Sequence, residues 1–85
     1  MRFYFDYQDL AGFILDEVGE ELPDLAAARD AAMRYLAESI RDHSPSGLAD
    51  TFCVSVRTKH TPIMTVLATI EVVAPAASGQ GSTIY

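Results

Sequence analysis

The chain has 85 residues, enough for one domain. A domain of that size buries only about 60% of its unfolded surface, so its margin of stability is small unless it self-associates. Hydrophobic content of 49% excludes a wholly disordered chain, because such a chain cannot bury enough apolar surface to offset its ordering entropy. The net charge of −6, with six scattered Lys and Arg, speaks against direct nucleic-acid or membrane-surface binding, both of which need a basic face.

Residues 2–7 alternate, with Phe3, Phe5 and Tyr7 on one side and Arg2, Tyr4 and Asp6 on the other, the pattern of a half-buried strand. Gln8 to Gly12 reads as a turn and Phe13-Ile14-Leu15 as the returning strand of a hairpin. Asp16 to Glu21 then forms an acidic link in which Gly19 supplies a positive φ or a bulge.

A single amphipathic helix follows over 25–42. Asp24 is its expected N-cap, with Pro23 just outside. Leu25, Ala28, Ala32, Leu36 and Ile40 form the apolar stripe, with Tyr35 and Ser39 at its margin. Asp30–Arg34 and Arg34–Glu38 are spaced for ion pairs worth about 0.2–0.5 kcal/mol each. After His43, the Ser44-Pro45-Ser46-Gly47 stretch ends the helix.

Thr51–Thr58 alternates again, with Phe52, Val54 and Val56 inward and Cys53, Ser55 and Arg57 outward. Lys59 to Pro62 turns the chain into a long strand over 63–73. Residues 74–85 carry Pro, Gly, Ser and Thr without periodicity and read as a flexible tail on a single domain over 1–73.

The predicted fold is therefore α+β, in the order ββαββ, with a four-stranded antiparallel sheet and one helix packed on one face. Short connections allow the spatial order second–first–third–fourth, or a pairing of the fourth strand with the second. The face opposite the helix carries Tyr4, Ile14, Cys53, Leu67 and Ile63, too apolar to stand bare. A homodimer through that face or through an open strand edge is expected.

The motifs Tyr4-Phe5-Asp6, Asp16-x-x-Gly19-x-Glu21-Leu22-Pro23-Asp24 and Ala28-Arg29-x-x-Ala32 resemble a family of small uncharacterised proteins common in rhizobia and their relatives, classed as a domain of unknown function. The resemblance spans about residues 2–72 and is strongest in the Gly-x-Glu-Leu-Pro-Asp lead into the helix. It implies a ββαββ fold and a bacterial cytosolic setting, and brings no activity or catalytic residues. Members usually carry an acidic, Gly-containing turn in the last hairpin, where this chain has Lys59-His60-Thr61-Pro62. The first half is also similar to the HicB-type antitoxin domain in its hairpin, Pro-Asp link and alanine-rich helix, without that family's Pro-Asp-Leu-Pro-Gly stretch.

Five carboxylates, Asp16, Glu17, Glu20, Glu21 and Asp24, crowd the link. Asp16, Glu17, Glu20 and Glu21 are the candidate surface for a basic protein partner. The acidic spacing lacks the ligand pattern of a calcium loop. Cys53, His43 and His60 lack the close pairs of a zinc site, so neither metal nor cofactor is expected. The alternative to an interaction module is a small enzyme or ligand-binding domain using Asp6 and Asp16 as paired carboxylates, or Cys53 as a nucleophile. No phosphate-binding or nucleophile-elbow motif supports it. The single cysteine fits a reducing compartment. With no signal-like apolar segment near Met1, a cytoplasmic location is expected.

Overall fold

The structure, a computed structural model, describes residues 1–42, 49–73 and 75. Five strands and one helix follow in the order β1 (Arg2–Gln8), β2 (Phe13–Ile14), β3 (Glu20–Glu21), α1 (Leu25–Asp42), β4 (Ala49–Arg57) and β5 (Pro62–Glu71). The expected helix stop after Asp42 lies outside the described residues. So does the expected tail, apart from Pro75.

The sheet is antiparallel, in the order β2-β1-β4-β5, the first of the two arrangements expected from the sequence. β3 is an addition to that expectation. Its two residues pair with Arg2 and Phe3 beyond the end of β2, on the same outer side of β1.

Register decides which side chains share a face. Phe5 lies opposite Val56 and Tyr7 opposite Val54, so these residues point together toward α1. Tyr4, Asp6 and Gln8 share the open face with Arg57, Ser55 and Cys53. The hairpin sets Tyr7 opposite Ile14 and Gln8 opposite Phe13. Ile14 is therefore on the helix side, and Phe13, not Ile14, joins the open face. Ile63 also departs from expectation. An irregularity where Arg57 pairs with Pro62 gives the strand an extra residue there, and Ile63 packs against the core.

α1 begins where the sequence places it. Asp24 caps it, one carboxylate oxygen accepting the Ala27 N–H at 2.8 Å. Ala28, Ala32 and Leu36 are buried against Phe3, Phe52, Val54 and Val56. The two alanines, fully buried, let the helix settle close over β4 and β5. Leu25 is 51% exposed instead of buried, since the stripe meets the sheet only from Ala28 onward. Asp30 lies 3.9 Å from Arg29, and the Arg34 guanidinium sits 5.7 Å above the Tyr35 ring. The expected ladder through Asp30, Arg34 and Glu38 gives way to these contacts.

Candidate functional site

Because α1 lies over β4 and β5, the helix side of β1 is only partly covered, and Phe5 and Tyr7 remain half-buried. A cleft of about 480 Å³ opens there, within the size range of small-ligand and side-chain sites. Its apolar walls are the Phe5, Tyr7 and Tyr35 rings and Val54, and its polar groups are Asp16, Glu20 and Ser39.

Each polar group has a structural reason to be there. Glu20 pairs with Phe3 across the β1–β3 ladder, so it shares the inward face of Phe3 although Glu17 and Glu21 of the same link are exposed. Its carboxylate accepts a hydrogen bond from the Tyr35 hydroxyl. That bond, followed by burial and the Glu20 charge, raises the Tyr35 pKa. Tyr35 in turn meets Phe5 edge-on, with ring centroids 5.1 Å apart and planes at 73°. Ser39 donates its hydroxyl back to the Tyr35 carbonyl at 2.9 Å. Tyr7 donates to Asp9 at 2.7 Å. Burial, with that acceptor and the Asp9 charge, pushes the Tyr7 pKa up to about 12.

Asp16 lines the cleft and holds the link in place. One carboxylate oxygen accepts the Phe5 N–H at 3.0 Å; the other accepts the Val18 and Gly19 N–H groups at 2.9 and 3.0 Å. Along the outer side of β1, β2 pairs with Tyr7 and Gln8, and β3 pairs with Arg2 and Phe3. Phe5 falls between them, and a side chain supplies the acceptor that a strand would have given. Gly19 adopts φ 75°. A Cβ there would stand 2.9 Å from both Arg2 Cγ and Tyr4 Cε2, so the tight return needs glycine.

Asp6 and Asp16 are neighbours, but the contact runs from the Asp16 backbone to the Asp6 carboxylate and not between the two carboxyl groups of the paired-carboxylate reading. Asp6 accepts the Asp16 N–H at 2.9 Å and the Arg57 Nε–H at 2.8 Å. Arg57 also donates to the Asp16 carbonyl at 2.9 Å and stacks 4.7 Å over the Tyr4 ring. Burial opposes ionisation at Asp6, but the Arg57 hydrogen bond, the Asp16 N–H and the Arg57 charge outweigh it and hold the carboxyl below its usual range. At Asp16 burial is likewise outweighed, here by the Gly19, Phe5 and Val18 N–H groups and then the Arg57 charge. Two carboxylates kept ionised and occupied by donors are poorly placed as a general acid or base at neutral pH.

The four candidate partner-binding residues divide. Asp16 and Glu20 line the cleft, whereas Glu17 and Glu21 are exposed and outside its lining, Glu21 lying opposite Arg2 in the ladder and 3.5 Å from it. Cys53 sits in the middle of β4 opposite Gln8 and Leu67. His60 lies in the turn beyond the end of that strand, and His43 is outside the described residues. Sequence reasoning did not single out Arg57 or Tyr35. The available signal for Arg57 was its place as the one cation on the outward side of β4, the same side of the sheet as Asp6.

These features define a small α+β domain: one helix on an antiparallel sheet, an arginine-tied acidic link, and an aromatic cleft beside the helix. The chain belongs to the family described as a domain of unknown function, DUF6894, which matches residues 2–69. No curated protein and no solved structure matches it. No helix among the described residues is long and apolar enough to cross a membrane.

Proposed function

We propose that this protein is a small non-catalytic interaction module, acting as a homodimer, that takes a basic segment of a partner protein at the cleft beside α1. The observation that carries this reading is the position of Glu20, a carboxylate set among the Phe5, Tyr7 and Tyr35 rings. A lysine or arginine side chain entering there gains a counter-charge and aromatic faces together. Arg34, poised over Tyr35, shows the same pairing within the chain. Glu17 and Glu21, exposed on the same link, add to the negative charge of this end of the molecule, which steers a basic partner toward it.

The test is an NMR titration of the isotope-labelled protein with an oligolysine peptide at low and high salt. Shifts at Phe5, Glu20 and Tyr35 are expected. They should disappear on charge reversal at Glu17, Glu20 and Glu21, and persist in Cys53→Ser. Shifts that are absent, or indifferent to the charge reversals, would end this reading. Glu20→Gln, which keeps an oxygen for Tyr35, separates loss of charge from loss of packing.

A further inference from the structure

We infer that the second copy in the homodimer docks on the outer edge of β5, so that two sheets join antiparallel into one about a two-fold axis normal to the sheet. The inference rests on the homodimer part of the reading above and specifies its surface. β5 is a ten-residue strand at the end of the sheet, and no strand among the described residues pairs with its outer side. Within Pro62–Glu71 the only charged side chain is Glu71, and the only proline is the first residue. Of the devices that usually blunt an edge strand, lysines and internal prolines are absent from the rest of it, and the one irregularity is confined to its first residues, at Ile63.

The occupant follows from what the edge can match. Among the described residues the opposite edge of the sheet offers only β2 and β3, two residues each, separated by a link. It cannot supply a ladder of β5's length, so head-to-tail growth is excluded and β5 of a second copy remains. Antiparallel pairing about a two-fold axis makes such a contact closed and self-complementary.

The helix supports the same geometry. Tyr35 reaches β1 through Phe5. Met33 and Ile40 lie roughly 140–160° around α1 from Tyr35 at 100° per residue, on the β5 side. Met33 is 48% exposed and Ile40 half-buried, with Arg29 the charged residue on that flank. On the strand below, Met64, Val66, Ala68 and Ile70 pack on the core yet stay only partly covered. Pairing of β5 with its mate sets the two helices side by side on one face, roughly 10–14 Å apart at the normal strand spacing. Long side chains on facing flanks meet at the shorter end of that range. A second copy brings a second apolar helix flank to that place.

The experiment uses the full chain. Sedimentation velocity from micromolar to millimolar concentration is combined with amide hydrogen exchange. A dimer is expected in which all the β5 amides are slow, including the alternate ones that point away from β4. Leu67→Lys sets like charges near the two-fold axis, and Met33→Glu charges the helix flank. Each should raise the dimer dissociation constant by about tenfold or more. Leu67→Lys should also return the outward β5 amides to fast exchange, with an unchanged circular dichroism spectrum. A wild-type monomer throughout would overturn both this inference and the homodimer, leaving the basic-segment reading to its own titration. A dimer with fast outward β5 amides, or one that both variants leave intact, would overturn the edge alone. Should either variant fail to fold, the wild-type exchange pattern still decides.

Discussion

The two long sides of this sheet solve the edge problem differently. The outer side of β1 is covered piecemeal, by a two-residue strand at each end and the Asp16 carboxylate at Phe5 between them. The outer side of β5 is a ten-residue strand, regular from Met64 to Glu71 after the irregularity at Ile63, without any such cover among the described residues. One edge is finished by two short strands and a side chain, and the other has no strand partner among the described residues. The contrast shows that an acidic link, easily read as a solvated connector, can act as part of a sheet. It also shows that regularity in a strand can mark an exposed surface as readily as a core.

The most damaging way to break the comparison is to remove the side chain that closes the first edge. Asp16→Ala withdraws the acceptor for three N–H groups, of which Phe5 is the least able to find water. An unsatisfied, partly buried donor costs about 1–3 kcal/mol, and the lost charge-assisted bonds add to it. A loss of about 2–3 kcal/mol is expected, which for a domain this small lowers Tm by roughly 10–20 °C. Asp16→Asn, retaining one acceptor oxygen, should lose less. A calorimetric scan in which Asp16→Ala melts within a degree of wild type would show that the link is held by something else.

Gly19→Ala comes next. The residue must keep φ near 75°, a conformation that costs a residue with a Cβ about 1–2 kcal/mol. The new methyl must also displace Arg2 and Tyr4. A chemical-denaturation midpoint reads this loss, with a slope unchanged if only the native state suffers.

What the sequence made legible, and what it did not, follows the same division. The start of the helix could be placed because Asp24 is a local signal whose physics needs no tertiary structure. Chain direction and short connections narrowed the sheet order to two arrangements, of which the structure shows the first. β3 was hidden because two glutamates have no strand pattern, and their pairing depends on where Arg2 and Phe3 happen to lie. Ile14 was assigned to the wrong face because a hairpin register offset by one residue inverts every side chain. The bond from Asp16 to Phe5 spans 11 positions in sequence and has no local signature. Arg57 was visible as an outward residue, but its joint hold on Asp6 and the link could not be read from spacing.

Acid titration sharpens the comparison on the β1 side, where the ionised carboxylates sit. Asp6 and Asp16 both have folded pKa values below the usual range. Their contribution is therefore fully present above the unfolded value of about 4 and is lost as pH falls through the folded values. Denaturation midpoints should hold steady from neutral pH to about 5 and fall below about 4. Asp16→Asn should start lower and fall less. An equal fall in the variant would place the acid sensitivity outside this cluster. Asp6→Asn is a poor probe of catalysis for the same reason, since it weakens the Arg57 pair whatever the protein does.

The smallest expected effect is the most informative about the open face. Cys53 lies half-exposed on β4 between Gln8 and the 62%-exposed Leu67. In a face left to solvent, Cys53→Ser exchanges one small, weakly polar group for another and should change stability by no more than about 0.5 kcal/mol. The substitution should also leave self-association unaltered if the copies meet along β5. A loss above about 1 kcal/mol, or one that grows with protein concentration, would mean that Cys53 is covered in solution. The second copy would then lie against the face of the sheet, and the open edge of β5 would need another explanation.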